Sequence, residues 1–156
     1  MLTIIGCGNT NRSDDGVGVF VAQALARGLA ASPRRDVQVF DAGTGGVDVM
    51  FKARGSDELV IVDACRSGSD PGSVFEVPGE ELEASYTPAY SLHDFRWDHA
   101  IAAGRKIFAG EFPSRVHVYL IEAQDLGLGL TLSAPVRASA ERVIIRLRER
   151  IDAYTA

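Results

Sequence analysis

The stretch from Ile4 to Gly18, Ile-Ile-Gly-Cys-Gly-Asn-Thr-Asn-Arg-Ser-Asp-Asp-Gly-Val-Gly, constrains the fold more than any other part of the chain. Leu2 to Ile5 is short, apolar and rich in β-branched residues, which suits a strand. From Val17 onward the apolar residues Val17, Phe20, Val21, Ala24 and Leu25 have the spacing of one helix face. A loop dense in glycine and acid joins the two. It is expected at the carboxyl end of the strand, where open α/β sheets bind ligands.

Two readings of this loop compete. Gly6 and Gly8 ahead of a helix would suit a phosphate, because glycine lets backbone N–H groups approach an anion. Against that, Asn11 stands where the dinucleotide fingerprint needs its third glycine, and no Gly-Lys-Ser/Thr follows. Asp14 and Asp15 also put negative charge where phosphates would lie. A plainer role for these residues is helix initiation, with Ser13 as cap. Each carboxylate in the first turn would then favour the helix dipole by about 0.3–1 kcal/mol.

At 156 residues the chain is expected to form one domain spanning 1–156. That length buries roughly two-thirds of the unfolded surface. Formal charge is −5 and the arginines are scattered, so neither nucleic acid nor an anionic membrane is an expected partner. The start of the chain reads as a strand rather than as a secretory signal, and no apolar run approaches the roughly 20 residues that span a bilayer. Cys7 and Cys65 show no metal-ligand spacing. A soluble cytoplasmic protein is the expectation.

Further along, the first helix should fade near Ala31, and Val37 to Phe40 alternates as a second strand ending on Asp41. The loop Asp41-Ala42-Gly43-Thr44-Gly45-Gly46 precedes a helix carrying Val47, Met50 and Phe51. Asp41 suits either function or a turn whose carboxylate bonds nearby N–H groups. Leu59 to Val62 is a continuous apolar run, the pattern of a strand covered on both faces, and it ends at Asp63. A buried carboxylate there is costly unless it is hydrogen-bonded or metal-bound. Ser73 to Val77 follows without an intervening helix and so reads as an antiparallel edge strand.

Pro78 to Ser91 reads as surface loop with at most one helical turn. His93 precedes or opens a helix bearing Trp97, Ile101 and Phe108, and His99 lies inside that helix. Val116 to Ile121 is another strand, holding His117. A final helix begins near Ser133-Ala134-Pro135 and buries Val136, Ala140, Val143, Leu147 and Ile151. This alternation predicts a three-layer α/β fold: an open, mostly parallel twisted sheet with helices on both faces and one antiparallel edge strand.

Right-handed crossovers would bring Asp15, Asp41 and Asp63 to one rim, where His93 could join them. Carboxylates and an imidazole from separate loops could hold a metal with open positions for substrate atoms. A proton-sharing aspartic dyad, Asp14 or Asp15 with Asp63, and a thiol pair of Cys65 with His93 are the other chemistries available. No Gly-x-Ser-x-Gly elbow is present.

Taken together, Gly6-Cys7-Gly8-Asn9 with Asp14-Asp15-Gly16-Val17-Gly18, then Asp41-x-Gly43-Thr44-x-Gly46, the apolar strand ending at Asp63, and Ser91-x-His93 resemble the hydrogenase maturation endopeptidase family. The motifs come in the family's order and span most of the chain. The resemblance implies a cytoplasmic endopeptidase whose partner is a nickel-iron hydrogenase large-subunit precursor. It would remove that precursor's C-terminal extension after nickel insertion. The same resemblance makes Asp15, Asp63 and His93 metal ligands and Asp41 an acid used in substrate handling or cleavage. It also implies no permanent cofactor, the nickel being carried by the substrate. The chain departs from the family in having Asp15 where glutamate is frequent and Ala42 where glycine is frequent. A non-catalytic, metal-dependent binding module or chaperone for the precursor is the alternative reading.

Overall fold

The computed structural model describes residues 1–83 and 96–155. Among the described residues, five strands, β1 (Leu2–Cys7), β2 (Val37–Gly43), β3 (Glu58–Cys65), β4 (Val74–Pro78) and β5 (Arg115–Glu122), form one sheet in the order β2-β1-β3-β5-β4. β1 pairs in parallel with β2 and β3, and β3 in parallel with β5. Only β4 runs antiparallel, at the edge beside β5. The expected α/β architecture is therefore the observed one.

The helices are α1 (Val17–Ala31), α2 (Gly46–Ala53), the short α3 (Gly79–Glu83), α4 (Trp97–Phe108) and α5 (Ala134–Ala153). The period-2 alternation of the strands sorts their side chains into two cores. Val60 and Val62 of β3 pack with Leu2, Ile4, Val21 and Leu147 on the side of α1 and α5. Leu59 and Ile61 pack with Ile5, Val49 and Ile101 on the side of α2 and α4. Residues 59 to 62 are fully buried, each contributing roughly 1.5–3 kcal/mol of apolar transfer. This is why β3 reads as an unbroken apolar run.

The chain passes from β1 outward to β2, then crosses back to lay β3 on the other side of β1. The strand order thus reverses at β1 and β3, leaving a crevice beyond their carboxyl ends. Helix α1 closes tightly against this point. A Cβ on Gly6 would lie 2.0 Å from the Gly18 carbonyl oxygen, and one on Gly18 would lie 2.1 Å from that of Val62. Neither position can carry a side chain without moving the backbone.

Several strand limits differ from expectation. β2 runs on to Gly43 and β3 to Cys65, so Asp41 and Asp63 lie two residues inside their strands rather than at the ends. Parallel neighbours on both sides of β1 and β3 extend the ladder past the last apolar residue. Ser13 does not cap α1; its hydroxyl donates to the Gly127 carbonyl at 3.0 Å, and Ser13 to Gly16 forms a separate 3-10 turn. His99 lies inside α4, as expected, and is mostly buried. Its Nδ1 accepts the Arg96 backbone N–H at 3.2 Å, closing the first turn of α4.

Candidate active site

The crevice is a cleft of about 580 Å³ lined by Gly8, Asp15, Thr44, Asp63, Arg96 and Trp97, among others. Its floor comes from β1 and β3, and one wall from the start of α4. Gly8 sits at φ 131°, a conformation that disfavours any side chain, and a Cβ there would meet the Asp15 carbonyl oxygen at 1.8 Å. The chain can therefore double back at Gly8 and carry Asp15 over the sheet edge.

The β1–α1 loop is not shaped for phosphate. The Gly8 N–H donates to the Gly43 carbonyl, Asn9 N–H to the Asp15 carboxylate at 3.1 Å, Asn11 N–H to the Asn9 side chain and Arg12 N–H to the Asn9 carbonyl. These amides are consumed within the loop and by β2, and those of Ser13 and Asp14 by the Gly129 and Asp125 carbonyls.

Asp63 shares the face of Leu59 and Ile61 and so points toward α4. One oxygen accepts its neighbour Ala64 N–H at 2.8 Å. The other accepts the Trp97 indole N–H at 2.7 Å and lies 3.5 Å from the Arg96 guanidinium. Burial pushes the Asp63 carboxyl up to about 6. The Trp97, Arg96 and Ala64 donors hold it back, while the Asp15 charge adds to the rise.

Asp14 has a different role. It is fully buried and accepts N–H groups from Gln124, Asp125 and Ser133 together with the Ser133 hydroxyl, all at 2.7–2.9 Å. Burial would raise its carboxyl, but those donors outweigh it and set it below the ordinary carboxylate range. Asp14 therefore ties the β1–α1 loop to the segment between β5 and α5. Of the adjacent acids, only Asp15 faces the cleft.

Asp41 is not brought to the cleft. It shares the strand face of Val37 and Val39, toward α1, where its carboxylate accepts the Gln23 side-chain amide at 3.2 Å and the Gly43 N–H at 2.9 Å. The turn reading of Asp41 describes this geometry, and Gly43 and Thr44 of that turn do line the cleft. His93 lies outside the described residues. His117 stands half-buried on β5, its Nδ1 3.9 Å from Glu76, and does not line the cleft. Burial and then the Arg150 charge lower its pKa.

Neither cysteine is a thiolate. Burial pushes Cys65 up to about 12, helped by Glu122, whose carboxylate accepts the thiol at 3.3 Å; Cys7 is raised further by burial and by Asp63. A thiol nucleophile at Cys65 is thus disfavoured. Glu122 itself accepts the Ser67 hydroxyl and the Ser67 and Gly68 N–H groups, which hold it down at about 2 and fix the loop after β3. Sequence reasoning missed Glu122, although it carries the signal noticed at Asp63: an acid closing an apolar strand. It also missed Arg96 and the polar use of Trp97.

Two cleft carboxylates offer hard oxygen donors suited to a divalent cation, with the Arg96 guanidinium standing against Asp63 where a cation would be held. Among the described residues no group of three or more His, Cys, Asp or Glu side chains is placed to hold a metal ion. Fold and cleft define a class of protein: a doubly wound α/β domain whose candidate chemistry rests on carboxylates at the switch point of its sheet.

Comparison with known proteins gives that class its name, for the chain belongs to the hydrogenase maturation protease family. The family model HycI, hydrogenase maturation protease, matches residues 19–149. The hydrogenase 2 maturation protease of Escherichia coli K12 is 29% identical over 153 residues, covering 95% of this chain and 91% of that protein. The hydrogenase expression/formation protein HupD of Rhizobium leguminosarum is 31% identical over 164 residues, covering 99% and 78%. Among solved structures, the hydrogenase maturating endopeptidase HybD of E. coli aligns with a TM-score of 0.76 and 27% identity over 96% of this chain and 93% of that one. The chain is accordingly a peptidase. Among the described residues no helix is long and apolar enough to cross a membrane.

Proposed function

We propose that this chain, acting as one domain in the cytoplasm, is an endopeptidase that removes the C-terminal extension of a nickel-iron hydrogenase large-subunit precursor once nickel has been inserted. The observation that carries the proposal is the pairing of Asp15 and Asp63 in one switch-point cleft of a chain in the maturation protease family. The nickel arrives with the substrate, and the protease supplies ligands rather than a resident metal. Asp15 and Asp63 are the carboxylate ligands, and His93 is assigned the imidazole by resemblance. Holding the precursor's metal at the cleft would place the adjacent peptide at the sheet rim and make metal occupancy the condition for cutting.

Each residue's part follows from its surroundings. Asp63 is fixed by Trp97 and Ala64, Asp15 by the Asn9 amide, and Glu122 orders the loop that continues the wall beyond Cys65. Asp41 acts as a positioning residue, holding the Gly43–Thr44 turn against the cleft.

Mass spectrometry of a hydrogenase large-subunit precursor, incubated with this protein before and after nickel loading, tests the reading. Loss of one discrete C-terminal peptide from the loaded form alone is expected. Asp15→Ala and His93→Ala should lower the processing rate at least about 100-fold, since each removes a ligand from the group that positions the peptide. Wild-type rates in both variants would overturn the ligand assignment. Cutting of unloaded precursor would sink the nickel condition. A stable complex with uncut, loaded precursor would replace the protease by the binding-module reading.

A further inference from the structure

Asp63 has three donors, and they are not equivalent. The Ala64 amide belongs to β3 and the Trp97 indole is buried in the core beside α4, so both are fixed parts of the fold. The third is a cation on a long side chain that is 63% exposed. Its 3.5 Å approach is looser than the 2.7–2.9 Å of a well-made charge-assisted hydrogen bond. The backbone of Arg96 is nonetheless anchored. Its carbonyl accepts the Ala100 N–H and its own N–H donates to His99, so the side chain springs from a fixed point at the head of α4. Among the described residues, Asp63 is the one carboxylate within ion-pair distance of this guanidinium.

A divalent cation bound by Asp63 and Asp15 and the Arg96 guanidinium would compete for the same carboxylate oxygen. Two positive groups a few ångströms apart repel, and the movable one leaves. We propose that Arg96 is the resting counter-charge of Asp63: it blocks free metal ions from the cleft and swings aside only when a docked precursor presents its own metal. Arg96 would thus set the specificity of the site, separating substrate-borne metal from ions in solution. The inference rests on the reading of Asp63 as a ligand for the precursor's metal.

Isothermal titration of the full chain with nickel chloride, and separately with cadmium chloride, reads the effect without any precursor. Arg96→Gln should bind either ion about tenfold or more tighter than the wild type, with the gap narrowing as ionic strength rises. Arg96→Lys, which keeps the charge, should behave like the wild type. Adding Asp63→Asn to Arg96→Gln should remove the gain. Equal or weaker binding by Arg96→Gln, no binding by either protein, or a gain that survives Asp63→Asn would each overturn the proposal. Because Arg96 is exposed, Arg96→Gln should melt with the wild type, so a change in its metal affinity reports on the site and not on unfolding. Tighter metal binding without precursor cleavage would leave Arg96 as assigned and refute the protease reading; cleavage without the gain in affinity would do the reverse.

Discussion

Two buried carboxylates stand within a short reach of one cleft and have been pushed in opposite directions. Asp14, in the clamp between the β1–α1 loop and the segment before α5, accepts four N–H or O–H donors and lies below the ordinary carboxylate range. Asp63, inside β3, has two firm donors and a loose one, lies near a second acid, and is raised to about 6. Burial is common to both. The count and rigidity of donors, set against neighbouring negative charge, decide the sign. The saturated acid holds the chain together, and the undersatisfied one is left with capacity for a ligand.

The largest effect should come from the clamp. Asp14→Ala strands the Gln124, Asp125 and Ser133 amides in a buried setting and should lower stability in urea unfolding by about 3 kcal/mol or more. A loss below about 1 kcal/mol would break the contrast. Trp97→Phe removes one firm donor from Asp63 and should cost about 2 kcal/mol. It should also move the Asp63 titration, followed by carboxyl NMR, upward from about 6.

The pH dependence of stability separates the two acids by sign. With its pKa raised in the fold, Asp63 binds its proton more tightly when folded, so its contribution favours the fold at low pH and is lost as pH rises from about 4 through 6. Asp63→Asn should therefore be more stable than the wild type by about 1–2 kcal/mol at pH 7 and show little or no advantage at pH 4. Asp14, depressed in the fold, contributes stability that is present above its ordinary pKa of 3.8 and lost as pH falls below it. Denaturation curves across this range would reveal both slopes. At the small end, Leu128→Ser, at a side chain 90% exposed on the clamped segment, should change stability by less than about 0.5 kcal/mol.

The sheet, its helices and the antiparallel edge were legible because apolar periodicity reports which face of each element is covered. The acids were harder to read, for two reasons. Parity along a strand decides where a side chain points, and the residues before Asp41 and Asp63 carry that information. Asp41 follows the phase of Val37 and Val39 toward α1, whereas Asp63 follows Leu59 and Ile61 toward α4. Grouping the acids by strand end alone placed Asp41 in the cleft. The second reason is distance along the chain. Asp14 finds its donors at residues 124, 125 and 133, and nothing local separates it from Asp15. Glu122 and Arg96 act through partners equally remote, on loops and helix ends whose approach only the folded topology fixes.

The contact between Gly6, Gly18 and Val62 governs more than packing. It seats the helix that follows Asp15 directly on β1 and on the strand that carries Asp63, main chain against main chain, with no side chain in between. The gap between the two carboxylates is therefore an inherited dimension of the backbone rather than a product of how the hydrophobic residues settle. Extensive exchange of core side chains between α1 and α5 would leave that gap in place. A transplant of the site onto another parallel sheet would have to carry the two glycines before it carried either acid.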